Sequence, residues 1–326
     1  MGSLSGLISL LSLVVLSAIN IGDRMPSFTD GTQWVKGNAP AFEKSITVVE
    51  IWKTTCSICK GQISHMSSLQ KAYGDRISIV AITSDPIDVL NQFMKEHNDE
   101  ISYTVGHVSK EVMSKLSDGT PGVPYCYIID RNGNILWQCH AAAIDDMLER
   151  ILNGWVDIEK LKQISILEKA LDILLESSKT EIITQADKEL LAVDPSNLEG
   201  LQVWINIAKY NEDPALMKGM FDQIPMSALS SYNANMIASL LISESDFSYR
   251  YPEAAIKFSD YALKKKPGNS DYVNTRAKLL YSLGDIEAAI AWQKKAVNLA
   301  PDNRDYQETL DYYLLFKKLR SGMKTD

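Results

Sequence analysis

Glu50-Ile51-Trp52-Lys53-Thr54-Thr55-Cys56-Ser57-Ile58-Cys59-Lys60 is the stretch on which the reading of the fold turns. Just upstream, Ile46 to Ile51 is a β-branched run of the kind that forms a buried strand. Just downstream, Ile63, Met66, Leu69 and Tyr73 recur at spacings of three and four, which is one face of a helix. Two cysteines three apart thus stand where a strand ends and a helix begins. The first N–H groups of a helix lack partners, and its dipole is positive there. Both features favour a thiolate at the first cysteine. The second, one turn on, can attack a mixed disulfide formed at the first. The plain alternative is a pair of inert core cysteines. The strand before and the amphipathic helix after favour the reactive pair.

Outward from this motif the chain alternates. Ile77 to Ile82 reads as a second buried strand. Asp85-Pro86 predicts a helix start, with Asp as N-cap, Pro first in the helix, and Val89, Leu90, Phe93 and Met94 as its buried stripe. Tyr103 to Val105 is a weaker strand, and Ser109 to Leu116 a short helix. Tyr125 to Ile129 and Ile135 to Gln138 are strands around Asp130-Arg131-Asn132-Gly133-Asn134, a hairpin signal. Ala141 to Asn153 closes with a helix. Alternating β and α followed by a hairpin predicts a mixed sheet with helices on both faces, the order of an α/β thioredoxin fold. Cys126 and Cys139 flank the hairpin. A two-residue Asn132-Gly133 turn would set them opposite each other. A type I turn with Asp130 first and Gly133 fourth is the preferred reading. It shifts the register by one, so that the two cysteines miss and are small packing residues.

Beyond Asp157 no strand signal survives, and helical periods run between Asp194-Pro195, Asp213-Pro214, Pro225, Pro267-Gly268 and Pro301-Asp302. Pro301 follows Pro267 by 34 residues; Ala255 and Ala262 precede the first as Ala289 and Ala296 precede the second. That period, with small residues at helix contacts, resembles the tetratricopeptide repeat. Ala277, Leu280, Gly284, Ala289, Ala296 and Pro301 match its pattern in the better copy. Val273 and Gln293 stand where larger aromatics are common. The copy ending at Pro267 has a divergent first helix with an insert around Ser243 to Tyr251, and a third, weak copy ends near Pro195. The expected organisation is a signal peptide or N-terminal membrane anchor over 1–20, a thioredoxin-like domain over 21–156 and a helical-repeat domain over 157–326.

The chain has 326 residues, enough for two cores, with 45% hydrophobic and 23% charged residues and a net charge of −8. An acidic chain without clustered Lys and Arg is a poor candidate for nucleic acid. Four cysteines are too few for a disulfide scaffold. One C-x-x-C without further ligands is no zinc site, so no metal and no cofactor beyond a redox-active Cys56–Cys59 disulfide is expected. Leu7 to Ile19 is apolar apart from serines and too short to span a bilayer comfortably. It reads as the core of an export signal, although no Lys or Arg precedes it. The competing reading is a buried N-terminal element.

The motif region resembles the active-site segment of the thioredoxin-like family, in particular its extracytoplasmic TlpA-type branch within the redoxin group. Gly22-Asp23-Arg24-Met25-Pro26 resembles the opening of that branch, and Gly122-Val123-Pro124 with Tyr125 to Gly133 its later half. The likeness covers roughly residues 21 to 153. It implies Cys56 as nucleophile and Cys59 as resolving thiol, a cis Pro124 facing them, and Val123 offering backbone to a substrate strand. It also implies a buried Glu50 that moves a proton to or from Cys59. Strand alternation alone would equally allow Glu50 a wet edge. Two departures from the family stand out: Thr55 where Trp is usual before the first cysteine, and Ser57-Ile58 between the pair. These residues shape the helix end and the docking surface for substrate. Trp52 is read chiefly as core, with room for a substrate contact.

The function expected is thiol–disulfide exchange on exported proteins outside the cytoplasm, in the periplasm or cell envelope. Reduction is the favoured direction, fed by an upstream dithiol donor. The helical domain holds a protein partner, with Asn235, Asn274, Lys278 and Tyr281 as surface candidates. A thiol peroxidase is the enzymatic alternative. Its P-x-x-x-T-x-x-C setting is missing here, since Val49 and Lys53 hold the Pro and Thr positions. A non-enzymatic repeat protein is the third reading.

Overall fold

The computed structural model describes residues 19–177 and 179–322. The apolar run read as an export signal falls almost wholly outside them. Among the described residues no helix is long and apolar enough to cross a membrane. The chain divides into two compact units, residues 1–166 and 167–326.

The first unit is built on a six-stranded sheet. Its strands are β1 (Gln33–Lys36), β2 (Ile46–Ile51), β3 (Ile77–Thr83), β4 (Thr104–His107), β5 (Tyr125–Ile129) and β6 (Ile135–His140). Their order across the sheet is β1-β4-β3-β2-β5-β6. β2, β3 and β4 run parallel, whereas β1, β5 and β6 join antiparallel to their neighbours. The helices are α1 (Ser57–Tyr73), α2 (Ile87–His97), α3 (Lys110–Leu116) and α4 (Ile144–Leu152). This is the thioredoxin fold. β2 lies at the centre, which is why its sequence is almost unbroken apolar: both faces are covered. Val49 and Ile51 join Phe28, Val80, Ile82, Tyr127 and Ile129 in one core cluster. Successive strand residues face opposite ways, so Glu50 points to the other face.

One strand is new to the reading, and two expectations are corrected. β1 carried no readable signal: it is four residues long and mostly half-exposed, and bulged against β4 between Trp34 and Lys36. Gly106 makes room for it, since a Cβ there would stand 2.9 Å from the Trp34 ring. Pro86 is the N-cap of α2, so the helix begins one residue later than Asp85-Pro86 suggested. The Asp85 carboxylate is used elsewhere. The hairpin does turn through Asp130 to Gly133, with Gly133 N–H donating to the Asp130 carbonyl at 3.1 Å. An irregularity next to Ile128 and Ile129 absorbs the extra residue, and Cys126 and Cys139 come directly opposite each other after all. The type I turn was read correctly; the bulge beyond it was not foreseen.

At the other end of this unit, Gly22 (φ +92°) leaves its Cβ position to Lys162, whose Cε would lie 2.7 Å away. Lys162 belongs to α5 (Ile158–Ser177), the helix in which the division between units falls.

The described residues of the second unit form helices joined by short turns, with no strand. It comprises α6 (Thr180–Val193), α7 (Leu198–Tyr210), α8 (Pro214–Asp222), α9 (Ser231–Ser243), α10 (Pro252–Lys265), α11 (Ser270–Ser282), α12 (Ile286–Leu299) and α13 (Arg304–Gly322), besides most of α5. Most sequential helices pack against one another, most extensively α9 with α10 and α11 with α12. Ala255, Ala262, Ala277, Ala289 and Ala296, the small residues of the 34-residue pattern, are all fully buried. Small side chains there let helix axes approach closely. Gln293, in the place of an aromatic, is buried and donates through Nε2 to the Tyr306 carbonyl at 2.9 Å, tying α12 to α13.

Candidate active site

Cys56 is the N-cap of α1, in extended conformation, and its sulfur accepts the Cys59 N–H at 3.1 Å. The cap position explains why a cysteine can begin this helix. The first-turn N–H groups need acceptors, and the sulfur supplies one. Cys56 is half-buried and Cys59 buried. Burial, then the neighbouring Cys56, pushes the Cys59 thiol up to about 12. Cys59 therefore keeps its proton unless a base removes it.

Glu50 supplies the group suited to that task. It is 2% exposed, and desolvation lifts its carboxyl from 4.5 to about 8, with His65 pulling the other way. A carboxyl poised near neutrality can both take and return a proton. Its charge acts on Cys59 as well as on Cys126, its register partner on β5.

The loop before β5 approaches from the other side. Gly122 (φ +144°) leads into the Val123–Pro124 peptide, which is cis. The Cys56 sulfur lies 3.9 Å from the Val123 carbonyl oxygen. Val123 is half-buried and Pro124 buried. Thr55, Ser57 and Ile58 are exposed around the cysteines, Ile58 most conspicuously at 57%. An aliphatic side chain so open beside a nucleophile offers an apolar contact to an incoming chain. Trp52 lies apart from this surface. It is buried, with its ring edge-on to Phe93 at 5.3 Å. The structure thus brings together Cys56, Cys59, Val123, Pro124, Thr55, Ser57 and Ile58, sets Glu50 beneath them, and gives Trp52 to the core.

One element escaped the reading of the sequence. Thr54 is buried, and both its N–H and its hydroxyl donate to Asp85 Oδ2, each at 2.7 Å. This pins the loop between β2 and α1 to the end of β3. The Asp85-Pro86 pair was visible, but it reads locally as a helix start. Only the parallel pairing of β2 with β3 reveals what the carboxylate holds.

In the second unit, a groove of about 780 Å³ is lined by residues including Ile242, Phe247, Arg250, Lys278, Tyr281 and Tyr312. Of the four surface candidates there, Lys278 and Tyr281 reach it. Asn235 is instead buried in α9, and Asn274 is half-buried. Among the described residues no group of His, Cys, Asp and Glu side chains could hold a metal ion.

Residues 21–138 match the sequence model of the AhpC/TSA family. A stretch of 108 residues is 30% identical to the thiol-disulfide oxidoreductase ResA of Oceanobacillus iheyensis, covering 32% of this chain and 55% of that protein. The chain therefore spans about half the length of this curated relative. Among solved structures, a thiol:disulfide interchange protein of the thioredoxin family from Chlorobium tepidum is 23% identical. It covers 41% of this chain and 99% of its own, with a TM-score of 0.34. The thioredoxin domain of a thiol-disulfide oxidoreductase from Bacteroides vulgatus is 20% identical over 42% of this chain and 100% of its own, with a TM-score of 0.35. By its sheet order, by the cysteine pair that opens α1 and by these sequence matches, the first unit of the chain is a thioredoxin-like domain.

Proposed function

We propose that the chain is a thiol–disulfide oxidoreductase acting on protein disulfides. The observation that carries this reading is the pairing of a half-exposed Cys56 at the start of α1 with a buried Cys59 whose thiol is held near 12, above a carboxyl held near 8. The Cys56 sulfur attacks a substrate disulfide, and one substrate sulfur leaves. Cys59 loses its proton to Glu50 and attacks the Cys56 sulfur, releasing the second substrate thiol and leaving a Cys56–Cys59 disulfide. An external dithiol returns the pair to thiols. Val123 offers backbone beside Cys56, and Thr55, Ser57 and Ile58 form the docking rim. We place this activity on exported proteins, outside the cytoplasm, and read α9–α10 and α11–α12 as tetratricopeptide-like pairs, capped by α13, whose groove holds a protein partner.

The test is turnover of a protein disulfide with a dithiol as reductant. Cys56→Ser should bring the rate to that of the dithiol alone, and Cys59→Ser should accumulate mixed disulfides at Cys56. Unchanged turnover in Cys56→Ser would end this reading. The potential of the pair sets the direction: near about −270 mV it reduces, near about −120 mV it oxidises. Faster consumption of hydrogen peroxide than of protein disulfide would favour the peroxidase reading instead.

A further inference from the structure

We propose that Cys126 and Cys139 form a second, reversible disulfide that clasps β5 to β6, made by exchange with a low-molecular-weight disulfide arriving at Cys139. The two residues are register partners in the antiparallel ladder. Ala141 N–H donates to the Pro124 carbonyl at 3.3 Å. By the alternation of such ladders, the pair two residues further along each strand is again a hydrogen-bonded one, with Cα atoms about 5.5 Å apart. Disulfides span roughly 4.4–6.8 Å between Cα atoms, so the backbones already stand at bonding distance. Directly opposed residues also send their side chains to the same face.

The geometry favours a labile bond. Cβ atoms of opposed residues stand about 4.5–5.5 Å apart, and closer in the other kind of pair, whereas a relaxed disulfide holds them near 3.8 Å. The strands must draw together to close it. Among the described residues β6 is the last named strand of the sheet; the Gly22–Met25 segment hydrogen-bonds to its outer edge at Gly133 and Ile135, the end away from Cys139. A bond closed under strain is readily reduced, which distinguishes a switchable clasp from a permanent staple.

Access fixes the order of events. Cys139 is half-buried on the edge strand, and Cys126 is fully buried. The Cys139 sulfur attacks one sulfur of the small disulfide RSSR; the S–S bond breaks and one RSH leaves. The Cys126 sulfur then attacks the Cys139 sulfur, displacing the second RSH. Two cysteine thiols are oxidised, one disulfide is reduced to two thiols, and each cysteine proton departs with a leaving thiol. Desolvation, with Glu50 and Cys139 adding to it, holds the Cys126 thiol well above its ordinary range, so the second displacement is the slow one. The clasp secures the strand that begins right after Val123 and Pro124, the residues facing Cys56.

The test uses the full chain carrying Cys56→Ser and Cys59→Ser, which leaves Cys126 and Cys139 as its two cysteines. After incubation with oxidised glutathione and acid quench, intact mass should show the loss of two hydrogens. Peptide mapping should link the Cys126 and Cys139 peptides within one chain, and dithiothreitol should restore both thiols. Adding Cys126→Ala should halt the reaction at one glutathione on Cys139. If that variant does not fold, the peptide map of the parent decides alone. Two thiols that stay open to alkylation, a lasting glutathione adduct on Cys139 with Cys126 intact, or a link between two chains would each overturn the proposal. Because the Cys56–Cys59 pair is absent, the result is independent of the proposed oxidoreductase activity.

Discussion

At position 50 a carboxyl lies next to the end of a central strand with almost no access to water, and its proton is held up to about pH 8. An unfolded glutamate gives its proton up near 4.5. Between those values the folded chain binds more protons than the unfolded one, so the Glu50 contribution to stability falls as pH rises through this window and is level above it. Glu50→Gln should remove that slope. The variant should gain on the parent by a few kcal/mol, to order of magnitude, between about pH 4.5 and 8. Denaturant midpoints of both proteins across that range measure it, and a difference that stays constant with pH would contradict it. The same variant should slow release of the mixed disulfide at Cys56 while leaving its formation nearly unchanged, as single-turnover kinetics would read. The residue scale was the most legible in the sequence. Cys56 and Cys59 declare themselves through the strand before and the helix after. Glu50 was legible only through a resemblance, since strand alternation says which face a residue takes and not what covers that face.

At the scale of elements, the strands that read most plainly are the apolar ones at the sheet centre, together with β6 beside its turn signal. β2 and β3 are dense in Ile and Val, and β5 in aromatic and apolar residues, because the sheet centre demands it. β1 is an edge element whose burial comes from Trp34 lying over Gly106, a contact between segments about seventy residues apart, and no local pattern encodes that. The hairpin shows the same limit. Its turn is written in Asp130 to Gly133, but the bulge that restores the register depends on how β6 packs. Asp85 spans two elements, and its removal is informative. Asp85→Ala leaves the Thr54 N–H and hydroxyl without their shared acceptor in a mostly buried place, at a cost of about 1–3 kcal/mol. A drop of that size in unfolding free energy is expected, with slower disulfide exchange in the still-folded variant, because the loop holding Cys56 loses its anchor. An unchanged midpoint would mean that water replaces the carboxylate without loss.

For the whole molecule, the proposed chemistry and the helical unit are expected to separate. All four cysteines lie in the first unit, and the matched family segment ends at residue 138. A chain ended after Ile166, which keeps Lys162 against Gly22, should fold and retain activity on a small disulfide while losing preference for a natural protein partner. Circular dichroism establishes folding, and competition between small and protein disulfides gives the preference. A folded but inactive truncation would show that the helices complete the catalytic machinery. The contact of Gly22 with Lys162 has a bearing on ancestry. The first turn of the domain meets the start of α5 at one point, inside the first unit. A unit whose ends meet is a self-sufficient cassette. Helical repeats can be spliced onto such a cassette, lengthened or exchanged by recombination without a new core having to be invented, and a single redox module can in this way be readdressed from one clientele to another.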